Sequence, residues 1–454
     1  MSQHYDEYYW EKLDNAAKIY PSVTSRKSTN VYRFSIKLKE DVDPVILEEA
    51  LSISLDELPY FNSKLRKGFF WYYFERNFDK PKVTMDSQYP CMRIDKFSNK
   101  GFLLKVTYYH KKINIEVFHV LTDGYGCIHF TKILLMHYFN LKYPQLFGDK
   151  FEIESDNFSN SEMAGDSFLR HYRESDKENR PYKPRAYTIK GVPVFNREMK
   201  VIIGVVSTKE ILSLCKSKNT TITTYLTALL MYAIYKENYQ YNIVKNKPIE
   251  ISVPVNLRPF YNSYTLRNFF STVSTGLDFY NKEYTFDEVL EFVQADLKKK
   301  INKSDLAAKM KYSVGAQQNV MLRAVPVVLK DFILKIVYYF GEKSSTSTLT
   351  NVGQVKLPRE IVPLIDRYEA YLWVTPIQKK KMAICSFEDN LAITVSSGVE
   401  ETSIEQFIFK HLSSQGLSVK ISCNELTEQS SIPENENDKN SKNKKSQNKN
   451  GKKR

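Results

Sequence analysis

Cysteine is scarce. The 454 residues hold five, Cys91, Cys127, Cys215, Cys385 and Cys423, with no CxxC pair and no Cys/His spacing of the kind that holds zinc. That argues against a disulfide framework and a structural metal and fits a reducing compartment, the thiols serving as small apolar residues. The start of the chain, "MSQHYDEYYWEKLDNAAKIYP", is polar and acidic where a secretory leader would run from basic to apolar. The expectation is a cytoplasmic protein. Long apolar runs are missing as well. The most apolar stretch, "VPVVLKDFILKIVYYFG" from Val325 to Gly341, is broken by Lys330, Asp331 and Lys335. It is too short and too charged to span a bilayer, which leaves at most a peripheral membrane contact.

Acidic residues are absent from the last sixteen positions, Lys439 to Arg454, whose seven Lys and one Arg carry +8 of the net +14. The other 438 residues are only mildly basic, so the charge does not argue for a specific nucleic-acid partner. The preceding segment, Glu425 to Asp438, has five acids and no base. Residues 425–454 are therefore expected to form a disordered charged tail with nothing to bury. Hydrophobic residues make up 42% and aromatics 13% of the chain, enough for a large core.

The polar, proline-containing bridge "HYRESDKENRPYKPRAY", His171 to Tyr187, divides the body in two. The expected organisation is a lobe over 1–175, a linker over 176–195, a second lobe over 196–424 and the tail over 425–454. Alternating segments such as "VYRFSIKLKE" read as strands. "DPVILEEALSISLDEL" and "TITTYLTALLMYAIYKEN" read as helices, the first capped by Asp43 with Pro44 behind it. Mixed strands and helices point to an α/β or α+β architecture.

One stretch carries chemistry. In "VFHVLTDGYGCIHFTKILLMHYF", Val117 to Phe139, a strand delivers the chain to His119, and a helical pattern begins after Asp123-Gly124. An imidazole on a strand-to-helix loop has the rigid support that a general base needs. Asp123 is placed to organise the loop and Gly124 to permit a close turn. Taken alone, such a loop is more often a turn than an active site. His110, His129 and His137 lie nearby without an evident reason to face it. The lysine runs Lys298–Lys300 and Lys379–Lys381 read as solvated faces, and "GEKSS" lacks phosphate-loop spacing.

The "HVLTDG" loop, with "VPVNLRPF" (Val253 to Phe260) downstream, resembles the acyltransferase superfamily of chloramphenicol acetyltransferase, alcohol acetyltransferases and peptide-synthetase condensation domains. Its signature is a His-x-x-x-Asp-Gly loop, often with a second His in front, where this chain has Phe118. "YYWEKLDNAAKIYPS", "LTNVGQVKLP" and "SIEQFIFKHLSSQGLSVKIS" fall in the order that superfamily has. The resemblance implies two similar α/β lobes with a tunnel between them. It implies His119 as the base that deprotonates an acceptor hydroxyl or amine, Asp123 paired with Arg258, Gly124 in the turn, and Thr350 and Asn351 as oxyanion or tunnel candidates. No metal and no tightly bound cofactor are implied; acyl-CoA is the co-substrate and an alcohol-type molecule the acceptor, with the protein a monomer. The alternatives are transfer or condensation from the thioester of an acyl carrier protein, and a non-catalytic binding protein of the same fold.

Overall fold

Helix and strand boundaries follow local chemistry. Asp43 opens helix α1 (Pro44–Glu57), its carboxylate accepting from the amides of Val45 at 2.9 Å and Ile46 at 3.1 Å. Strands β6 (Leu104–Tyr109) and β7 (Lys112–Phe118) form a hairpin whose turn is His110-Lys111, with His110 in the left-handed region at φ +47°. The computed structural model describes residues 10–86, 89–147, 160–172, 185–195, 198–241, 247–280 and 282–424. The tail expected over 425–454 and residues 176–184 of the expected linker lie outside the described residues.

Two large sheets organise the body. The first has the order β12 (Ile365–Tyr371), β2 (Val31–Leu38), β7, β6 and β5 (Thr84–Met85). The second runs β10 (Phe270–Leu277), β9 (Ile249–Asn256), β11 (Ser347–Val355), β13 (Lys380–Phe387), β14 (Asn390–Ser397), β8 (Lys200–Ser207) and β15 (Lys420–Cys423). A small third sheet joins β1 (Trp10–Lys12), β4 (Tyr72–Arg76) and β3 (Ser63–Lys67). Strand β12 comes from the second half of the chain but pairs antiparallel with β2, so the first sheet draws on both halves.

Along β7 the residues Ile113, Ile115 and Val117 enter the apolar core, while Asn114 and Glu116 are equally buried on the opposite face. They are satisfied there: Arg33 reaches Glu116 Oε1 with Nε at 3.0 Å and Asp86 Oδ2 with Nη1 at 2.6 Å. Helix α2 (Gly124–Lys142) follows the His119 loop and inserts Cys127, Phe130, Leu134 and Tyr138 into the first core. The second sheet is covered by α3 (Thr208–Ser217), α4 (Ile222–Glu237), α5 (Phe286–Lys300), α6 (Lys303–Gln318) and α8 (Ser403–Ser414), whose apolar sides share a second core. Helix α7 (Val327–Glu342) differs in burying Val327 alone. Among the described residues no helix is long and apolar enough to cross a membrane.

Candidate active site

The loop from His119 to Asp123 is buried backbone whose carbonyls need partners. Tyrosines supply them: Tyr32 Oη donates to the carbonyls of Thr122 at 3.1 Å and Asp123 at 3.0 Å, and Tyr60 Oη donates to that of Leu121. The amide of His119 donates to the Asn30 carbonyl at 2.8 Å. The loop is thus tied to the first sheet before helix α2 begins.

The imidazole of His119 is half-buried in a box of rings. Tyr20 stacks on it, with centroids 4.7 Å apart and planes 19° apart, and Tyr32, Phe270 and Trp373 close the sides at 5.1, 5.6 and 5.6 Å. One ring nitrogen is held. Nδ1 lies 2.9 Å from Asn268 Oδ1, and Asn268 Nδ2 donates to Asp14 Oδ2 at 3.2 Å. Because the carboxyl takes the amide's donor end, the oxygen end faces the histidine. Nδ1 therefore carries the hydrogen, and Nε2 keeps its lone pair. Among the described residues no group of another residue bonds Nε2. Desolvation holds the imidazole below its ordinary pKa, opposed by the Asp123 charge and the Asn268 bond and reinforced by Lys381. A neutral ring at neutral pH follows.

Asp123 and Arg258 meet. The guanidinium gives the carboxylate two parallel bonds, Nη1 to Oδ2 at 2.9 Å and Nη2 to Oδ1 at 3.1 Å. Its remaining donors reach the Thr265 carbonyl at 2.8 Å, the Arg267 carbonyl at 2.6 Å and Asn256 Oδ1 at 3.2 Å, which uses all five N–H groups. Tyr125 lies under the guanidinium at 4.3 Å. Asp123 also caps α2 through the Gly126 amide at 3.2 Å and accepts from the Phe269 amide at 2.9 Å. One carboxylate therefore joins the His119 loop, the end of β9 and the start of β10.

Within this turn the tightest backbone packing falls on Gly126. A Cβ on Gly124 would find its nearest neighbours, Phe34 and Val352, at 3.8 and 3.9 Å, ordinary contacts. On Gly126 it would stand 2.1 Å from Thr122 Oγ1 and 2.2 Å from the Leu266 carbonyl. Asn351 sits at the irregularity of β11, its Oδ1 accepting from the Gly353 amide at 2.9 Å and its Nδ2 donating to Thr223 at 2.9 Å. Gly353 there has φ +90°. Val352, at that irregularity, reaches the start of α2.

The alcohol acetyltransferase family profile matches residues 140–365, a span that holds Arg258, Asn268, Thr350 and Asn351 but not His119. Over that span the chain is similar to alcohol acetyltransferases. Among the curated proteins none matches the sequence. Its fold is that of polyketide synthase associated protein 5 from Mycobacterium tuberculosis, at TM-score 0.58 and 13% identity over 88% of this chain and 97% of that one. It is equally that of F. graminearum TRI101 complexed with coenzyme A and T-2 mycotoxin, at TM-score 0.59 and 12% identity over 90% and 99%. The first condensation domain of the CDA synthetase matches at TM-score 0.57 and 12% identity over 88% and 95%. The two-lobed fold of these structures, with its mixed α/β layers, is therefore present.

Several site residues were not legible in the sequence. Asn268 stands 149 positions from His119 with no motif around it. Asp14 lies inside the early "YYWEKLDNAAKIYPS" segment, where no spacing marks the acid. Burial raises the Asp14 carboxyl to about 7, with Asp166 adding to the shift. Lys380 and Lys381, read as a solvated run, are 1% and 5% exposed. Lys380 pairs with buried Glu405 at 2.5 Å, whereas Lys381 sits 4.7 Å over the Trp373 ring, one side chain from His119. Charge runs on an interior strand look like surface runs until pairing is known. Among the described residues no group of three or more His, Cys, Asp or Glu could hold a metal ion.

Proposed function

We propose that this protein transfers an acyl group from coenzyme A to the hydroxyl of an alcohol-type acceptor, with His119 as general base. The observation that carries the reading is the fixed tautomer: Asn268 occupies Nδ1, and Nε2 is left as a neutral acceptor inside an aromatic box. Nε2 takes the hydroxyl proton as the acceptor oxygen attacks the thioester carbonyl. The tetrahedral intermediate then collapses, the carbon–sulfur bond breaks, and the departing thiolate takes the proton back from the imidazolium. No covalent enzyme intermediate is required.

Asp123 and Arg258 act by position, locking the loop between lobes that we place at 1–175 and 196–424. Thr350 is the better oxyanion candidate of the two proposed, since Asn351 spends its amide on Gly353 and Thr223. The family profile supports an alcohol acceptor, and the coenzyme A bound by the fold neighbour TRI101 supports a free acyl-CoA donor. Phe118 in place of a leading His weighs against the condensation reading.

Release of free thiol from acetyl-CoA and longer acyl-CoAs, measured with a panel of alcohols and amines beside His119→Ala, tests the reading. Acceptor-dependent release that the variant loses is expected. Release that the variant retains would remove His119 from the chemistry, and silence from the wild type on every donor would transfer the reading to a carrier-protein thioester.

A further inference from the structure

Helix α7 is built inside out. Its inward stripe runs Val327, Asp331, Leu334, Tyr338 and Glu342, with polar groups at three of the five positions. Its outward arc holds Val328, Leu329, Phe332, Ile333, Ile336 and Phe340, each 44% to 66% exposed. The orientation is locked by bonds on the inner side. Asp331 accepts from Ser22 Oγ at 2.7 Å, Lys67 Nζ at 2.9 Å and Tyr72 Oη at 3.0 Å, and Glu342 accepts from Thr375 Oγ1 at 2.6 Å. Turning the apolar arc inward would break all of these, so the exposure is a property of the fold.

The arc is continued by the turn between β3 and β4. The Val327 amide donates to the Phe69 carbonyl at 2.8 Å, and Lys330 donates to the Phe70 carbonyl at 3.1 Å while lying 3.8 Å over the Trp71 ring. Phe69 is 71% exposed. Beyond the turn a groove of about 760 Å³, lined by Trp10, Phe70, Trp71, Tyr73 and Phe78, extends the same surface. Contiguous apolar patches of this kind mark interaction sites.

Charge selects the partner. The acids of α7 are consumed inward, and the charges left to solvent on the helix and its approach, Lys335 and Arg323, are cations. Arg26 and Lys27 add to them on the exposed turn before Ser28, whose Oγ lies 3.5 Å from Tyr338 Oη. A second copy of the same face would set these cations against themselves, whereas lipid phosphates complement them. Aliphatic and aromatic groups rimmed by Lys and Arg are the makeup of a helix that lies in a membrane interface.

We infer that α7 and the β3–β4 turn dock this protein on an anionic phospholipid surface, with the apolar arc entering the headgroup boundary. The docked face is one layer from the site: Tyr338 Oη lies 3.4 Å from Asn30 Oδ1, and the Asn30 carbonyl accepts from the His119 amide. Lipid-dissolved acyl donors or acceptors would reach the protein on that side. The docking stands without the acyltransferase reading, because binding is measured without turnover.

The test is flotation of the full-length protein with vesicles of equimolar phosphatidylcholine and phosphatidylserine, at low and high salt, beside Phe332→Asp/Ile336→Asp. Both positions are exposed, and matched thermal melts check the fold. Expected is binding that survives in part at high salt, since apolar insertion is not screened, and that falls about tenfold or more in the variant. A blue shift of Trp fluorescence on vesicle addition, lost in Trp71→Phe, should accompany it. Binding equal in variant and wild type, or abolished entirely by salt, would overturn the inference in favour of the basic tail. A dimer in sedimentation that the substitutions disperse would overturn it in favour of self-association.

Discussion

Helices α2 and α7 each carry eleven aliphatic, aromatic or sulfur-containing residues, tyrosines included, and the fold treats them in opposite ways. Helix α2 buries eight of its eleven, and α7 buries only Val327. Apolar content is therefore not what separates a core helix from a surface one. The difference lies in the polar residues: α2 keeps few on its inner side, while α7 has Asp331, Tyr338 and Glu342 spaced to face a wall of donors and acceptors. Where polar partners are fixed, they orient the helix, and the apolar arc is left for something else to cover. The Asp123–Arg258 corner is the converse case, charge buried beneath apolar walls with every donor used.

The largest effect expected from breaking this contrast is at the head of α2. His119→Ala should lower turnover by about 10²- to 10⁴-fold without changing the melting temperature, as thiol-release kinetics and a thermal melt would check. Next is the buried pair: Asp123→Ala or Arg258→Ala should each cost about 3–5 kcal/mol in denaturant unfolding, because each leaves the other charge buried and alone. The double variant should cost less than the sum, and additivity would mean that the two side chains are not coupled.

Asn268→Ala leaves the fold but frees the ring, and a fall of about 10²-fold in kcat is expected with a smaller change in KM. Smaller still is a pH effect. The lowered His119 pKa puts the acid limb of kcat/KM below the ordinary imidazole value of about 6.5, and Lys381→Met should move that limb upward by removing a neighbouring cation. Asp14 has the opposite sign. Its folded value of about 7 lies above the ordinary 3.8, so the stability it contributes is full below that ordinary value and is lost as pH rises through 7. Melts of Asp14→Asn and wild type at pH 5 and pH 8 should diverge in the variant's favour at the higher pH. On α7 the same method should register almost nothing: Phe332→Asp is expected within about 0.5 kcal/mol of wild type, against several for an apolar-to-charged change inside α2.

The helix α1 cap at Asp43, the hairpin into His119 and the strand leading to Arg258 were legible because each is a local pattern. The second support of the site was not. Asn268 meets His119, and Asp14 meets Asn268, only because distant parts of the chain pack together, and no spacing along the chain announces it. Lys381 and Lys380 misled for the same reason, since a lysine pair on a strand reads alike whether it faces water or Glu405. Gly124 drew attention as part of a motif, while the steric demand at Gly126 comes from the Leu266 carbonyl, which is 140 positions away.

The amino-acid sequence by itself determined the loop that carries His119, the kind of acid that caps the following helix and the arginine type suited to hold it, because capping, alternation and bidentate pairing are short-range chemistry. Only the tertiary structure decided which nitrogen of His119 is free and which side of α7 faces outward. Both depend on partners brought together from distant parts of the chain, and a side chain's protonation and orientation are set by whichever groups surround it once the core has closed.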